Sequence, residues 1–184
     1  MDDLGLYYVN SDRCCGFDNA NGLKLIWRQS GNLNLGVHFG TGDIENIGES
    51  ILIGAELYGG LPGLASSSGL AMAWSLGLGA AFGDVEGVDY IDFSVPVGVS
   101  VGIPINAGGA TILPYIHPRV SLDVVSVTVN DQEDTDTDVG FAVDIGADVN
   151  LGQSLILRTG FALGDRDAFG VGVAFRMARR VVAR

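Results

Sequence analysis

Few side chains in this sequence could do chemistry, and their spacing says more than their types. The cations are one lysine, Lys24, and nine arginines; the only histidines are His38 and His117. Lys24, His38 and Glu56 each sit between apolar neighbours, and so do Arg119 and Asp148, while Arg158 lies between Leu157 and Thr159. If the flanking segments pair as neighbouring strands, Arg119, Asp148 and Arg158 fall in one row, and Lys24, His38 and Glu56 adjoin one another. Opposite charges side by side in a narrow interior form hydrogen-bonded ion pairs, unless the space is wet enough to solvate them. The six residues therefore form a polar network that either fills an interior or lines a narrow watery path. Asp92, Asp123 and Asp144 form a second row. Three close carboxylates repel unless a cation, a proton or water lies between them. A divalent-cation site is the speculative reading, solvated carboxylates in an open mouth the plain one, and no other cofactor is expected.

Two further arrangements can be weighed on spacing. Asp134, Asp136 and Asp138 alternate in a way calcium could use, but the segment lacks the Gly and terminal Glu of an EF-hand loop and reads as a solvated acidic loop. His117 shares one face with Ser121 and Asp123, yet so loose a trio arises easily by chance, and a structural polar histidine is the expectation. No catalytic residue is assigned, and the chain is not expected to be an enzyme. Cys14 and Cys15 are adjacent, a spacing that makes only a strained ring, and read as two loop thiols.

The elements that position these groups are strands. In Ile91–Ile105 (IDFSVPVGVSVGIPI) every second residue is large and apolar, and those between are small, polar or proline. A period of two gives a strand with two unlike faces. The pattern recurs over Leu4–Val9, Leu23–Gln29, Leu33–Thr41, Ser50–Gly59, Leu70–Phe82, Thr111–Val129, Asp138–Leu151, Ser154–Leu163 and Ala168–Met177. That makes ten strands, with eight as the fallback. Pro96 and Pro118 fall near one level on adjacent strands. Proline cannot donate to a ladder, so a bulge or local break is expected there, beside His117 and Arg119.

The greasy face has to be turned outward. A soluble barrel needs a charged, water-facing side, and here the other face is Gly, Ala and Ser with a few charges. A small barrel also has too little interior for so many large apolar residues. The expected fold is all-β, a ten-stranded antiparallel up-and-down transmembrane β-barrel over residues 1–177, followed by a basic tail over 178–184. Strands of 9–11 residues suffice to cross a bilayer at a tilt. The lipid bilayer is thus the expected partner. Trp27, Trp74, Tyr7, Tyr8, Tyr90 and Phe82 are candidates for interfacial girdles. A net charge of −12 without a basic patch argues against nucleic acid. There is no apolar run long enough for a transmembrane helix, and MDDLGLYY is no secretory signal, so a mature form is expected.

The closing strand AFGVGVAFRM resembles the last strand of bacterial outer-membrane barrels. There a Gly is followed at +3 by an apolar residue and at +5 by an aromatic, as Gly170, Val173 and Phe175 are. Ala168 stands where that motif has a polar residue, and the chain runs on past Phe175. In architecture the whole chain resembles the small OmpA/OmpW-like barrels, with no single family matched. The resemblance implies a bacterial outer-membrane location, short turns on the periplasmic side and longer, acidic loops outside. The function it implies is a narrow passive pore for small solutes or a structural surface protein. The alternatives are a soluble lipocalin-like barrel holding an apolar ligand and an outer-membrane barrel hydrolase.

Overall fold

The computed structural model describes residues 2–11, 20–30, 34–44, 48–62, 69–85, 88–130, 132–165 and 167–177. Cys14, Cys15 and the basic segment 178–184 lie outside the described residues. The strands are β1 (Asp2–Ser11), β2 (Ala20–Gln29), β3 (Asn34–Ile44), β4 (Gly48–Gly60), β5 (Ala71–Val85), β6 (Val88–Gly102), β7 (Ile105–Ala107), β8 (Ala110–Val129), β9 (Gln132–Leu151), β10 (Leu155–Gly164) and β11 (Ala168–Met177). Consecutive strands pair antiparallel except β6 and β7, which both pair with β8, and β1 pairs with β11. The short β7 resumes β6 after Pro104, in the same register against β8. The sheet therefore closes as a barrel of ten staves, with β6 and β7 as one interrupted stave.

Alternation sets the two faces. Leu4, Leu6, Leu25, Phe39, Ile53, Leu78, Val97, Ile116, Phe141, Phe161 and Val173 are among the many large apolar side chains exposed on the outside. The residues between them point inward, and small ones predominate. The inward glycines are seats for bulky inward groups. A Cβ on Gly172 or Gly5 would strike the Tyr7 ring, one on Gly146 would come within 2.6 Å of the Tyr115 hydroxyl, and ones on Gly54 and Gly98 would strike His38 and His117. An aromatic or imidazole lying flat on a neighbouring strand's glycine fills a narrow lumen without splaying the sheet.

The inside-outside assignment reverses at one place. Down β8 the outward apolar residues run to Leu122 and Val124. Beyond them the outward side turns polar, with Ser126 and Thr128 facing Thr135 and Glu133 of β9. The apolar residues move to the inward side, where Val125 and Val127 pack against buried Tyr90 and Ala81. The Val124–Val125 doublet is the sequence mark of this phase change. The outer surface is greasy up to the Leu122–Val139 pair and turns wet past Val124 opposite Thr137.

Three expectations are corrected. The acidic stretch Asn130–Thr137 is not a loop. The β8–β9 ladder continues to Val129 opposite Gln132, and the chain turns through Asn130 at φ 51. Asparagine tolerates that left-handed conformation, which allows so tight a turn. Asp84 and Asp89 likewise lie in strands, paired with each other and followed by Val85 opposite Val88, where a longer acidic loop is expected. Of the girdle candidates, Tyr7 and Tyr90 point inward, 8% and 1% exposed. Tyr8 and Phe82 lie outside at 40% each, and Trp27 and Trp74 share the outward parity.

The prolines interrupt ladders without shifting them. Pairing of β6 with β8 lapses opposite Pro118, between Gly98↔Arg119 and Val101↔Ile116. Pairing of β5 with β6 lapses beside Pro96, between Leu76↔Val97 and Gly79↔Ser94. The register is identical on both sides of each gap, so no residue is inserted and there is no bulge. A missing N–H alone accounts for the break.

Candidate functional site

The inward polar groups gather in two clusters at mid-height. In the first, Arg158 of β10 sits opposite Asp148 of β9, with Nε donating to Oδ2 at 3.1 Å. Its two terminal nitrogens reach over β11 to Asp3 of β1, Nη1 to Oδ1 at 3.2 Å and Nη2 to Oδ2 at 3.1 Å. Nη1 also donates to the Tyr7 hydroxyl. The Arg28 and Arg158 guanidiniums each lie 5.9 Å from the centre of the Tyr7 ring. At that range a cation is attracted to an aromatic face. A fork satisfied at both ends by carboxylates is a strong, directional arrangement.

The second cluster lies beside the proline gap. Arg119 Nε donates to Asp144 Oδ2 at 3.0 Å, and His117 Nε2 and Ser75 Oγ share a hydrogen bond of 3.1 Å. His117 Nδ1 is 3.9 Å from the same Asp144 oxygen. Serine, histidine and carboxylate thus stand in the order of a nucleophilic triad. The last separation exceeds a hydrogen bond, however, and the carboxylate is engaged by Arg119, so Asp144 does not orient the imidazole as a general base. The trio considered from sequence, His117 with Ser121 or Asp123, does not assemble. Ser121 Oγ instead donates to Asp123 Oδ2 at 2.8 Å, in a buried position nearer the acidic mouth.

The expected row of Arg119, Asp148 and Arg158 is split. Arg158 and Asp148 meet, but Arg119 faces Ala142 across the ladder. The cause is the tight Asn130 turn, which moves β9 six residues against β8 from the register a wide loop would give. The same shift separates the three aspartates. Asp92 and Asp123 are both buried near the mouth, at 6% and 5% exposure, whereas Asp144 lies deeper, opposite His117. Among the described residues no group of three His, Cys, Asp or Glu side chains is placed to hold a metal ion. The aspartate cation site is withdrawn on that geometry. Lys24, His38 and Glu56 line one chamber together.

Sequence reasoning missed Asp3, Tyr7 and Ser75 as partners. Asp3 and Tyr7 share the inward parity of β1, and parity could have found them. Their meeting with Arg158 depends on closure between the first and last strands, which no turn announces.

Cavities lie along the lumen around these clusters. Three chambers of about 340, 440 and 290 Å³ all have His117 in their walls, and Arg158 and Tyr115 line two of them. A larger cup of about 1100 Å³ opens at the acidic end, lined by Asp43, Glu49, Asp84, Asp89 and Tyr90 among others.

No family model matches this chain, and no curated protein matches it. Among solved structures it is similar to Ail, the attachment invasion locus protein of Yersinia pestis. The TM-score is 0.51 and the identity 11%, over 96% of both chains. The beta domain of the Bordetella autotransporter BrkA gives 0.47 and 10%, over 97% of this chain and 98% of that one. Neisserial surface protein A gives 0.46 and 11%, over 96% of both. At such identities the likeness is one of fold. The chain has the fold of the bacterial outer-membrane β-barrels, a closed antiparallel barrel of ten staves with its apolar side chains outside.

Proposed function

We propose that this protein is an integral barrel of a bacterial outer membrane whose lumen is closed by its own side chains. On this reading it is a structural surface protein that holds the tall β8–β9 hairpin out from the membrane, and not a solute pore. The observation that carries the proposal is the Arg158 cluster. One guanidinium, fixed by carboxylates on two other strands and by Tyr7, projects into the interior where a pore would need water. Beside it Tyr115 of β8 leans over Gly146 toward Gly160 of β10, and His117 reaches over β6 to Ser75 of β5, which narrows the interior further.

The outer surface supports the membrane location. Along β6 the outward apolar residues run from Ile91 to Ile103. At about 3.3 Å per residue and a tilt near 40° this stretch is roughly 30 Å tall, the thickness of a bilayer's hydrocarbon core. The belt ends in carboxylates on the acidic side, with Asp43 opposite Glu49 and Asp84 opposite Asp89. The test is planar-bilayer conductance of the refolded protein. We expect no steady conductance steps from the wild type, and steps from an Arg158→Ala, Tyr7→Ala variant. Steady conductance of the wild type would restore the pore reading.

A further inference from the structure

We infer that the free edge of β9 between Gln132 and Gly140 is a docking site for an extended, lysine- or arginine-rich segment of another polypeptide, which would add to the sheet as a further strand. The β10 partner of β9 stops at Gly164 opposite Ala142, with one more bond from Asp165 N to Phe141 O at 3.0 Å. Beyond that point β9 keeps β8 on one side, and among the described residues no strand lies on the other. Gln132 to Val139 are exposed without interruption.

The edge is ready to pair. Phe141, Val139 and Thr137 turn their N–H groups away from β8, as alternate residues of a strand must. The Phe141 N–H donates to Asp165 Oδ2 at 2.6 Å. The next two are covered only by the residue before each, Thr137 N to Asp136 Oδ1 at 2.9 Å and Val139 N to Asp138 Oδ1 at 2.8 Å. These are local, exposed contacts that stand in for an absent neighbour. Sheet edges left this way are templates for an added strand unless charge blocks them.

The charge decides which strand is accepted. Glu133, Asp134, Asp136 and Asp138 lie along the edge, and the sequence has no lysine or arginine between Arg119 and Arg158. A second copy of this edge would be repelled. A basic strand would draw the Asp136 and Asp138 carboxylates onto its own side chains, releasing the Thr137 and Val139 N–H groups to its carbonyl oxygens. The inference rests on the surface-display reading only in placing the hairpin in water. It does not depend on whether the lumen conducts, so conductance and peptide binding fail separately.

The test uses the full chain refolded in detergent and two labelled decapeptides of equal charge. One alternates lysine and valine, and the other alternates lysine and proline and cannot form a strand. Fluorescence anisotropy should show the Lys–Val peptide binding at least about tenfold tighter, with affinity falling as salt rises. Binding should protect the Thr137 and Val139 amides from hydrogen exchange. Thr137→Pro removes an edge donor that β8 does not use, and should weaken the Lys–Val peptide about tenfold. Replacing Asp134, Asp136 and Asp138 by asparagine should weaken it as well. Heat-modifiable gel migration checks that each variant has folded. Equal affinity for the two peptides, unchanged exchange at Thr137 and Val139, or no binding would overturn the inference.

Discussion

Arg158 and Asp3 are joined by two hydrogen bonds across an intervening strand. The fork on β10 reaches over Gly172 of β11 to both carboxylate oxygens on β1. The pair fastens the barrel where its first and last strands meet, which is the one seam without a covalent turn. Both side chains are largely buried, 13% and 12% exposed. Removing one partner of a buried pair leaves the other's charge uncompensated. Arg158→Met should therefore lower stability by about 3–5 kcal/mol, measured by urea unfolding in lipid vesicles. Adding Asp3→Asn and Asp148→Asn should recover much of that loss. A single variant as stable as the wild type would contradict this role.

The inward glycines give a paired prediction. Gly172→Ala places a methyl into the Tyr7 ring, whereas a methyl on Gly79 meets nothing within 4 Å. Overpacking costs about 1–3 kcal/mol, so Gly172→Ala should fall in or above that range. Gly79→Ala should stay within about 0.5 kcal/mol of the wild type. The same vesicle unfolding assay separates them, and equal effects would mean that the Tyr7 seat is not a packing constraint.

Pro118 is exposed on the outer face, and its missing N–H falls in the β6–β8 gap. Pro118→Val restores a donor opposite β6 without changing the outer surface's character. It should stabilise the barrel by about 0.5–1.5 kcal/mol and give a slowly exchanging amide at position 118. A fast amide there would show that the gap has another cause.

Much of this fold can be read from the chain because a barrel's alternation is local. Ile91–Ile105 announces its two faces residue by residue, and the ten staves follow from the same rule. Registers are a different matter, since they depend on how each turn closes. The Gly152 turn is short, so the pairing of Arg158 with Asp148 is legible. The Asn130 turn is hidden inside NDQEDTDT, whose composition says loop, because a strand standing in water needs no greasy side. That one turn accounts for the misplacement of Arg119 and of Asp144. Tyr90 was misread because the greasy face had already changed sides at its level, where an aromatic packs inward with Val125 and Val127.

The phase change predicts where lipid ends. Val97 lies mid-belt and is 53% exposed, whereas Thr135 stands beyond the Leu122–Val139 boundary, opposite Ser126. An arginine facing lipid at mid-depth costs about 2–4 kcal/mol, falling to about 0–1 near the interface. Val97→Arg should fall in the first range and Thr135→Arg at or below the second, by unfolding in vesicles. Comparable costs at both sites would displace the boundary.

The central claim is that the apolar face of this barrel meets lipid and the small, polar face is enclosed. A nitroxide scan along β6 from Ile91 to Ile103 in lipid vesicles tests it most directly. The account predicts high oxygen accessibility at Ile91, Phe93, Val95, Val97, Val99, Val101 and Ile103, greatest near Val97. It predicts low accessibility at Asp92, Ser94, Gly98 and Ser100. The opposite alternation, or a monodisperse protein in plain buffer whose odd positions are closed to oxygen, would contradict the account and turn the barrel inside out.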